Sequence, residues 1–176
     1  MNRAVRRMAA IALLTMMAWA AQAQVKVPGT GVTFSFPDGG WKYLQTTNVD
    51  KNTTVYLYAY GGTAVVDEMG DTVLPFLRIY VKRNYPGSVY ELAYERYLQQ
   101  PFQALREYDE GLVVDEALAY DGAYTSGNDT KDYRFKMLYF KVKKTAIEFR
   151  LETTTDTFGA FREMFDDILD TIEIEK

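Results

Sequence analysis

The sequence contains neither cysteine nor histidine among its 176 residues. Without cysteine there is no disulfide bond, thiol nucleophile, thiolate metal site or attachment point for c-type haem. Without histidine the chain lacks the side chain that most often acts as a general base near neutral pH and as a metal ligand. A Ser-His-Asp triad and a histidine-ligated zinc site are therefore excluded. We predict no catalytic residue, metal site or cofactor, and the apolar core must stabilise the fold by itself.

Long hydrophobic runs are also scarce. The segment 8–20 is apolar, but it is shorter than the about 20 residues that a transmembrane helix needs. Three arginines precede it within residues 2–7, and the small-x-small triplet Ala21-Gln22-Ala23 follows it. A basic start, an apolar segment and small residues at a cleavage point together indicate a secretory signal peptide. We predict that residues 1–23 are removed, that the remaining chain has no membrane span, and that it is periplasmic or secreted.

Basic residues are fewer than acidic residues once residues 1–23 are removed. Residues 24–176 contain 17 lysines and arginines against 24 aspartates and glutamates, a net charge of −7. An acidic chain of this kind binds phosphate backbones and anionic membranes poorly, so we expect neither nucleic acid nor a membrane surface as its partner. These 153 residues contain no internal repeat and no linker, and their number suits a single domain.

Much of the chain has the pattern of β-strands. Alternating, β-branched and aromatic segments predict strands at 31–37, 41–45, 54–60, 74–82, 112–120, 132–142 and 146–153. Asp121-Gly122 predicts a tight hairpin turn, and Lys143-Lys144 a second turn. In 132–142 the residues from Tyr133 to Tyr139 at odd positions should face one side of the sheet, and those at even positions the other.

Two segments have the pattern of helices. Ser88 with Glu91 three residues later forms a capping box, which predicts a helix from 89 to about 100, ending before Pro101. Residues 102–108 are expected to add a helical turn. Thr155 or Asp156 should cap a final helix with one buried stripe, made of Phe158, Phe161, Phe165, Ile168 and Ile172.

The acidic residues of the final helix, Asp166, Asp167 and Asp170, lie off that stripe and should face water. Because only two helices are predicted, each must bury its apolar face against the sheet. This arrangement is typical of an α+β fold with helices covering one or both faces of the sheet.

Several of these segments resemble the Mog1/PsbP-like superfamily. The resemblance rests on Phe34-Ser35-Phe36-Pro37 followed by Trp41, on a strand at 77–81 that leads into a Pro-Gly-Ser-capped helix, and on a hairpin of 137–140 with 147–151 before an aromatic-rich helix. It covers most of residues 31–174. It implies an αβα sandwich, in which a mid-chain helix and a C-terminal helix flank a central antiparallel sheet.

What the resemblance implies for function is less specific. Members of the superfamily are mostly non-enzymatic: PsbP proteins are extrinsic subunits of photosystem II, and Mog1 binds a small GTPase. Their histidine-containing ion sites have no counterpart here, because this chain has no histidine. The resemblance, together with the signal peptide, therefore implies a bacterial exported member that acts as a compact interaction module, by analogy of fold.

The best candidates for a ligand- or partner-binding surface are Tyr90, Tyr94 and Tyr97. Their spacing of four and three residues places them on one face of the predicted helix. Tyrosine combines apolar area with a polar tip, so this stripe could stack on a sugar or anchor a partner. The simpler interpretation, which we favour from sequence, is that the three tyrosines pack against the sheet or its rim.

Acidic residues suggest two further sites. Asp67, Glu68 and Asp71 offer oxygen ligands for a cation such as calcium, but they lack the spacing of an EF-hand loop, which favours a solvated surface loop. Glu116 and Glu148 lie within predicted strands, and a pair of carboxylates can hydrolyse glycosides without histidine. Strand alternation predicts instead that both face outward.

Taken together, the sequence predicts an exported, non-enzymatic interaction module whose partner is an unknown protein or envelope component. Two alternatives stay open. One is a carboxylate-dependent hydrolase acting on envelope glycans. The other is a small-ligand-binding protein with a pocket between helix and sheet.

Overall fold

The computed structural model describes residues 24–108, 116–127 and 131–175. The predicted signal peptide, residues 1–23, lies outside the described residues. Within the described ranges the strands are β1 (Val25–Val27), β2 (Val32–Phe34), β3 (Trp41–Asn48), β4 (Thr53–Tyr60), β5 (Val65–Val66), β6 (Thr72–Val73), β7 (Phe76–Lys82), β8 (Gln103–Tyr108), β9 (Leu118–Thr125), β10 (Asp132–Val142), β11 (Thr145–Thr154) and β12 (Glu173–Ile174). The helices are α1 (Val89–Gln99) and α2 (Phe158–Asp170). None of the helices described is long and apolar enough to cross a membrane.

A seven-stranded antiparallel sheet forms the centre of the fold. Its spatial order is β3-β4-β7-β11-β10-β9-β8, so β3 and β8 are its two edges. The long strands β10 and β11 form the predicted terminal hairpin, with the turn at Lys143 and Lys144. Strands β1, β2 and β12 form a small second sheet, and β5 pairs with β6.

The two faces of the central sheet carry separate apolar cores, because successive strand residues point to opposite faces. On β10, Phe135, Met137 and Tyr139 enter one core, while Leu138 and Phe140 enter the other, as the alternation predicted. Helix α1 covers the first face over β9 and β10. Helix α2 and the small sheet cover the second face. The predicted α+β class and αβα sandwich are therefore confirmed.

Helix α2 attaches to the sheet through the predicted apolar stripe. The buried members are Phe158, Phe161, Phe165 and Ile168 within the helix and Ile172 just beyond it. Full burial of such a side chain stabilises the fold by roughly 1.5–3 kcal/mol, which makes this stripe the main attachment of the helix. Asp167 and Asp170 are exposed as predicted, but Asp166 turns inward far enough to pair with Lys136 of β10.

The helical turn expected at 102–108 is wrong, because Gln103–Tyr108 is a strand. It pairs with β9 at one edge of the central sheet, with a register shift between Ala104 and Arg106. A short segment without clear periodicity takes the structure that its neighbours offer, and here the neighbour is the unpaired side of β9.

The hairpin turn expected at Asp121-Gly122 is also wrong, because both residues lie inside β9. Gly122 stands opposite Phe135 of β10, and a Cβ atom at position 122 would overlap the ring of Phe135. Asp121 is buried and stands opposite Lys136. Glycine therefore serves close packing here rather than chain reversal. Residues 112–115 of the predicted strand lie outside the described residues.

The cap of the final helix also differs from the expectation of Thr155 or Asp156. The residue at the N-cap is Thr157, whose hydroxyl bonds to the hydroxyls of Thr153 and Thr154 instead of capping the helix. The carboxylate of Asp156 accepts the backbone N–H groups of Glu68 and Thr157. It therefore ties the start of α2 to the loop between β5 and β6.

Candidate functional site

Helix α1 begins and ends where the sequence predicts. The hydroxyl of Ser88 accepts the backbone N–H of Glu91 at 3.2 Å, and the Glu91 carboxylate accepts the backbone N–H of Ser88 at 2.6 Å. These bonds form the predicted capping box, and the Ser88 N–H lowers the pKa of Glu91. The helix ends at Gln99, two residues before Pro101. Its position on the sheet is thus fixed at both ends by local sequence.

The side of α1 that faces the sheet is narrow and partly charged. Val89 and Leu92 are its buried apolar residues. One turn further on, Arg96 places its Nε atom 2.8 Å from Oε2 of Glu148, and its guanidinium lies 4.2 Å from the ring centre of Tyr80. Burial acts to lower the pKa of Arg96, but the carboxylate of Glu148 outweighs it and raises that pKa. An ion pair therefore completes the inner face of α1.

Glu148 is only 1% exposed, which corrects the prediction that it faces outward. On β11 it points to the same face as α1 and stands opposite Tyr80 of β7. Burial and the charge of Glu148 raise the pKa of the nearby Tyr139. Alternation alone could not reveal this environment, because it assumes that a charged residue marks the solvent side. Here both faces of the strand are covered.

The opposite side of α1 carries the three tyrosines. Tyr90, Tyr94 and Tyr97 are 70%, 64% and 42% exposed, and Leu98 beside them is 60% exposed. Tyr90 and Tyr94 therefore do not fit the interpretation that the tyrosines pack against the sheet or its rim, whereas Tyr97 fits it in part, because its ring packs edge-on against Phe102 with 5.4 Å between ring centres. The sheet-facing positions belong to Val89, Leu92 and Arg96. We call Tyr90, Tyr94, Tyr97 and Leu98 the tyrosine face.

Three open grooves adjoin the tyrosine face, and each contains one of its tyrosines. Tyr94 borders a groove of about 560 Å³ with Lys82, Arg83 and Glu95, and Tyr90 borders one of about 620 Å³ with Lys141 and Lys143. Tyr97 borders a groove of about 530 Å³ at the other end of the helix, lined also by Phe102, Gln103, Tyr124 and Asp132. The tyrosine face therefore combines protruding aromatic rings with adjacent grooves. Such a surface suits the binding of a partner, because interface side chains pack into pockets.

The groove beside Tyr97 has a rigid floor. The Tyr124 hydroxyl donates to Oε2 of Glu152 at 3.2 Å, and the Arg150 guanidinium lies 4.8 Å from the ring centre of Tyr124. Glu152 in turn lies 2.9 Å from both Arg150 and Arg78. Burial, together with Glu152, raises the pKa of Tyr124 to about 12, so the phenol keeps its proton and its hydrogen bond.

The acidic candidates Glu116 and Glu148 lie in different environments. Both buried glutamates, Glu148 and Glu152, are engaged by arginine. Glu116 is exposed at a turn with φ +55°, and this corrects its assignment to a strand. Among the residues that the structure describes, no group of three or more acidic side chains could hold a metal ion.

The acidic loop is more ordered than the predicted solvated loop. Asp67 is buried, and its carboxylate accepts the backbone N–H groups of Met69 and Asp71. The Lys131 ammonium lies 2.6 Å from a carboxylate oxygen of Asp67 and equally close to one of Asp71. A lysine therefore supplies the positive charge at this cluster.

No protein-family model matches the chain, and no curated protein matches it.

Comparison with solved structures shows the fold. The chain is similar to the Ran-binding protein Mog1p of Saccharomyces cerevisiae, with a TM-score of 0.55, 10% identity, and coverage of 88% of this chain and 95% of Mog1p. It is also similar to cyanobacterial PsbP (CyanoP) of Synechocystis, with a TM-score of 0.53 and 15% identity. That match covers 89% of this chain and 94% of CyanoP. A third similar structure is LpqN of Mycobacterium tuberculosis, which is involved in cell envelope biogenesis. Its TM-score is 0.53 and its identity 11%, and the match covers 89% of this chain and 91% of LpqN. The Mog1/PsbP-like fold predicted from sequence is thus confirmed, while identities this low show the fold alone.

Proposed function

We propose that this chain is an exported binding module of the cell envelope and that it binds a protein partner through the tyrosine face of α1. The observation that carries the proposal is the exposure of three tyrosines in one row on a helix whose buried side is formed by Val89, Leu92 and Arg96. Tyrosine is enriched at the centres of protein interfaces, where its ring is buried and its hydroxyl finds a hydrogen bond. Each ring here also stands next to a recess that a partner side chain can enter.

Two further observations support a binding role in the cell envelope. Residues 1–23 have the three parts of a signal peptide. Among proteins of the same fold, Mog1p binds a protein, Ran, and LpqN is involved in cell envelope biogenesis. A binding role outside the cytoplasm is consistent with both, although fold similarity supports such a role only by analogy.

The proposal is tested by placing a photo-crosslinking amino acid at Tyr90, Tyr94 or Tyr97, one position at a time, in cells that export the chain. We expect all three positions to crosslink to the same envelope protein. Tyr43 is the matched control, because it is 55% exposed but lies on β3, away from α1. Crosslinks to that protein from Tyr43 alone, or from none of the four positions, would contradict the proposal.

A second candidate function is small-ligand binding in the groove beside Tyr97. The observation that favours it is the fixed floor of this groove, where Tyr124 is held by Glu152 and Arg150. Aromatic rings together with Gln103, Thr125 and Asp132 would suit a small polar ligand with one apolar face. Chemical-shift mapping with a library of such ligands tests this idea, and shifts that never reach Tyr97, Phe102 or Tyr124 would end it.

A further inference from the structure

We propose that an aromatic groove at the start of β3 binds a small organic cation that carries a trimethylammonium or similar alkylammonium group. The groove has a volume of about 600 Å³. Three of the residues that line it, Phe36, Trp41 and Tyr58, belong to the core on the α2 side of the central sheet. The tyrosine face lies on α1, which covers the other side of the sheet, so this inference does not rest on the proposed function.

The lining of the groove is a layer of aromatic rings in contact with one another. The ring of Phe36 stacks on that of Trp41 with 5.1 Å between ring centres, and lies 5.5 Å from that of Tyr58. Tyr43, which is 55% exposed, adds a fourth ring 5.6 Å from Tyr58. Phe36 also packs on the fully buried Phe34. The core therefore holds these rings in place before a ligand arrives, which lowers the cost of binding.

The charge at this groove is negative. Among the described residues that line it, Asp38 is the only charged one. Asp38 lies in a turn that is closed by a hydrogen bond of 3.0 Å from the backbone N–H of Gly39 to the carbonyl oxygen of Phe36. Its side chain is exposed, so its carboxylate can meet a ligand at the rim of the groove.

Two lysines adjoin the lining in sequence, but neither one lines the groove. The ammonium of Lys26 lies 3.5 Å from a carboxylate oxygen of Glu175. The side chain of Lys42 extends beside Gly61, where a Cβ atom would lie 3.3 Å from its Cε atom. Within the ranges that the structure describes, Asp38 therefore has no ion-pair partner of its own.

Elsewhere in this fold, lysine and arginine side chains lie over aromatic rings. The rings concerned are those of Tyr80, Tyr85, Tyr124, Phe135 and Phe158. In the groove beside Tyr97, for example, the guanidinium of Arg150 already lies 4.8 Å from the ring centre of Tyr124. In the described part of the chain, no lysine or arginine lies over a ring of the aromatic groove. The cation at these rings is thus left to a ligand.

These features together select a cation with an apolar surface. The faces of aromatic rings are partially negative, and quaternary ammonium groups are recognised by such rings. The methyl groups of a trimethylammonium pack against the rings as apolar surface, while its charge is attracted by Asp38. An anion would instead be repelled by that carboxylate. The net charge of −7 of the chain from Gln24 also draws cations towards the protein.

The sequence supplies a reporter at the groove. Its two tryptophans are Trp19 and Trp41, so the chain from Gln24, which contains every described element of the fold, has Trp41 alone. We titrate this chain with choline chloride at an ionic strength held constant with sodium chloride. The fluorescence of Trp41 and its indole N–H resonance should change and reach saturation. The neutral analogue of choline, with a tert-butyl group in place of trimethylammonium, should bind at least about fivefold more weakly, because it loses the attraction between cation and rings.

Asp38→Asn should weaken the binding of choline by about two- to fivefold, because it removes an exposed charge that attracts the ligand. Glu116→Gln is the matched control. It also removes one exposed carboxylate, but from the groove beside Tyr90, and should leave the binding of choline unchanged. Both residues are exposed, so neither change should affect folding, and circular dichroism checks this.

Phosphocholine separates a free cation from a phospholipid headgroup as the ligand. It should bind more weakly than choline, because its phosphate meets Asp38 and no basic side chain among the described lining residues. The proposal is overturned if choline gives no saturable change, if the neutral analogue binds equally well, or if phosphocholine binds more tightly than choline. It is also overturned if Asp38→Asn binds choline as Glu116→Gln does. None of these results would bear on the tyrosine face, which crosslinking tests separately.

Discussion

The Nε atom of Arg96 lies 2.8 Å from Oε2 of Glu148, and this ion pair completes the side of α1 that meets the sheet, next to Val89 and Leu92. Arg96 follows Leu92 by one helical turn and shares its side of the helix. A charged side chain thus occupies a position where an apolar residue would be expected. Because the inner face is completed in this way, Tyr90, Tyr94 and Tyr97 point outward. Val89, Leu92 and the buried ion pair together form the inner side of α1, and the exposed aromatic surface lies on its other side.

Arg96→Met should destabilise the fold by about 3–5 kcal/mol, because it leaves the Glu148 carboxylate buried without its partner. Denaturant unfolding measures this loss. Lys82→Met is the control: Lys82 pairs with Glu95 at 2.7 Å, but both side chains are partly exposed, so the loss should stay below about 1 kcal/mol. Equal losses in the two variants would mean that the buried pair does not anchor α1.

Replacing both partners, as Arg96→Met with Glu148→Leu, should recover most of the stability that either single change removes. The reason is that no buried charge is then left unpaired. If the double variant is as unstable as the sum of the two single variants, the two residues act independently.

Gly122→Ala should destabilise the fold by about 1–3 kcal/mol, because the new methyl group collides with the ring of Phe135 and approaches the backbone oxygen of Gln103. Gly159→Ala in α2 is the matched control, since no atom lies within 4 Å of its added Cβ. Alanine there should stabilise the helix by about 0.5–1 kcal/mol. Opposite signs in thermal unfolding are the expected result; a loss in both would argue against the position of Phe135.

The Asp67–Lys131 contact should make the loop between β5 and β6 sensitive to acid. The hydrogen bond from Lys131 lowers the pKa of Asp67 below its value in the unfolded chain. A lowered folded-state pKa means that the stabilisation is present above the unfolded value and is lost as the pH falls through the folded value. The protection of residues 65–73 against hydrogen exchange, measured relative to the intrinsic exchange rate at each pH, should therefore fall in that acidic range.

Lys131→Met provides the comparison for this acid effect. Without the ammonium group, the protection of residues 65–73 should already be low at neutral pH and should depend less on pH. Lys42→Met serves as a control, because Lys42 is an exposed lysine on β3. If the loop in Lys131→Met keeps the protection and pH dependence of the unmodified chain, the contact does not order this loop.

The parts of this fold that follow local rules could be predicted from sequence. Ser88 and Glu91 define the start of α1, and the stripe from Phe158 to Ile168 defines the buried side of α2. Both signals depend only on residues within one or two helical turns. The alternation along β10 is likewise a local property, and its odd and even residues enter opposite cores as predicted.

The parts that depend on distant partners could not be predicted in this way. Glu148 is buried because Arg96, 52 residues earlier, reaches it across the sheet. Position 122 of β9 is a glycine because the ring of Phe135 occupies the space that a side chain would need. For the candidate site, spacing placed the three tyrosines on one face of α1 but could not determine whether that face points inward or outward. One residue of the inner side, Arg96, is charged, and a search for apolar periodicity does not count charged residues.

The most direct test of the account is the affinity of the triple variant Tyr90→Ala, Tyr94→Ala, Tyr97→Ala for the envelope protein identified by crosslinking. A hot-spot residue at the centre of an interface costs about 2 kcal/mol or more when it is truncated, so with at least one hot spot among the three tyrosines binding should weaken by at least about 30-fold. The variant's free energy of unfolding should change little, since these side chains are largely exposed. Tyr43→Ala should bind like the unmodified chain. Unchanged affinity in the triple variant would contradict the central claim that the outer face of α1 is the binding surface.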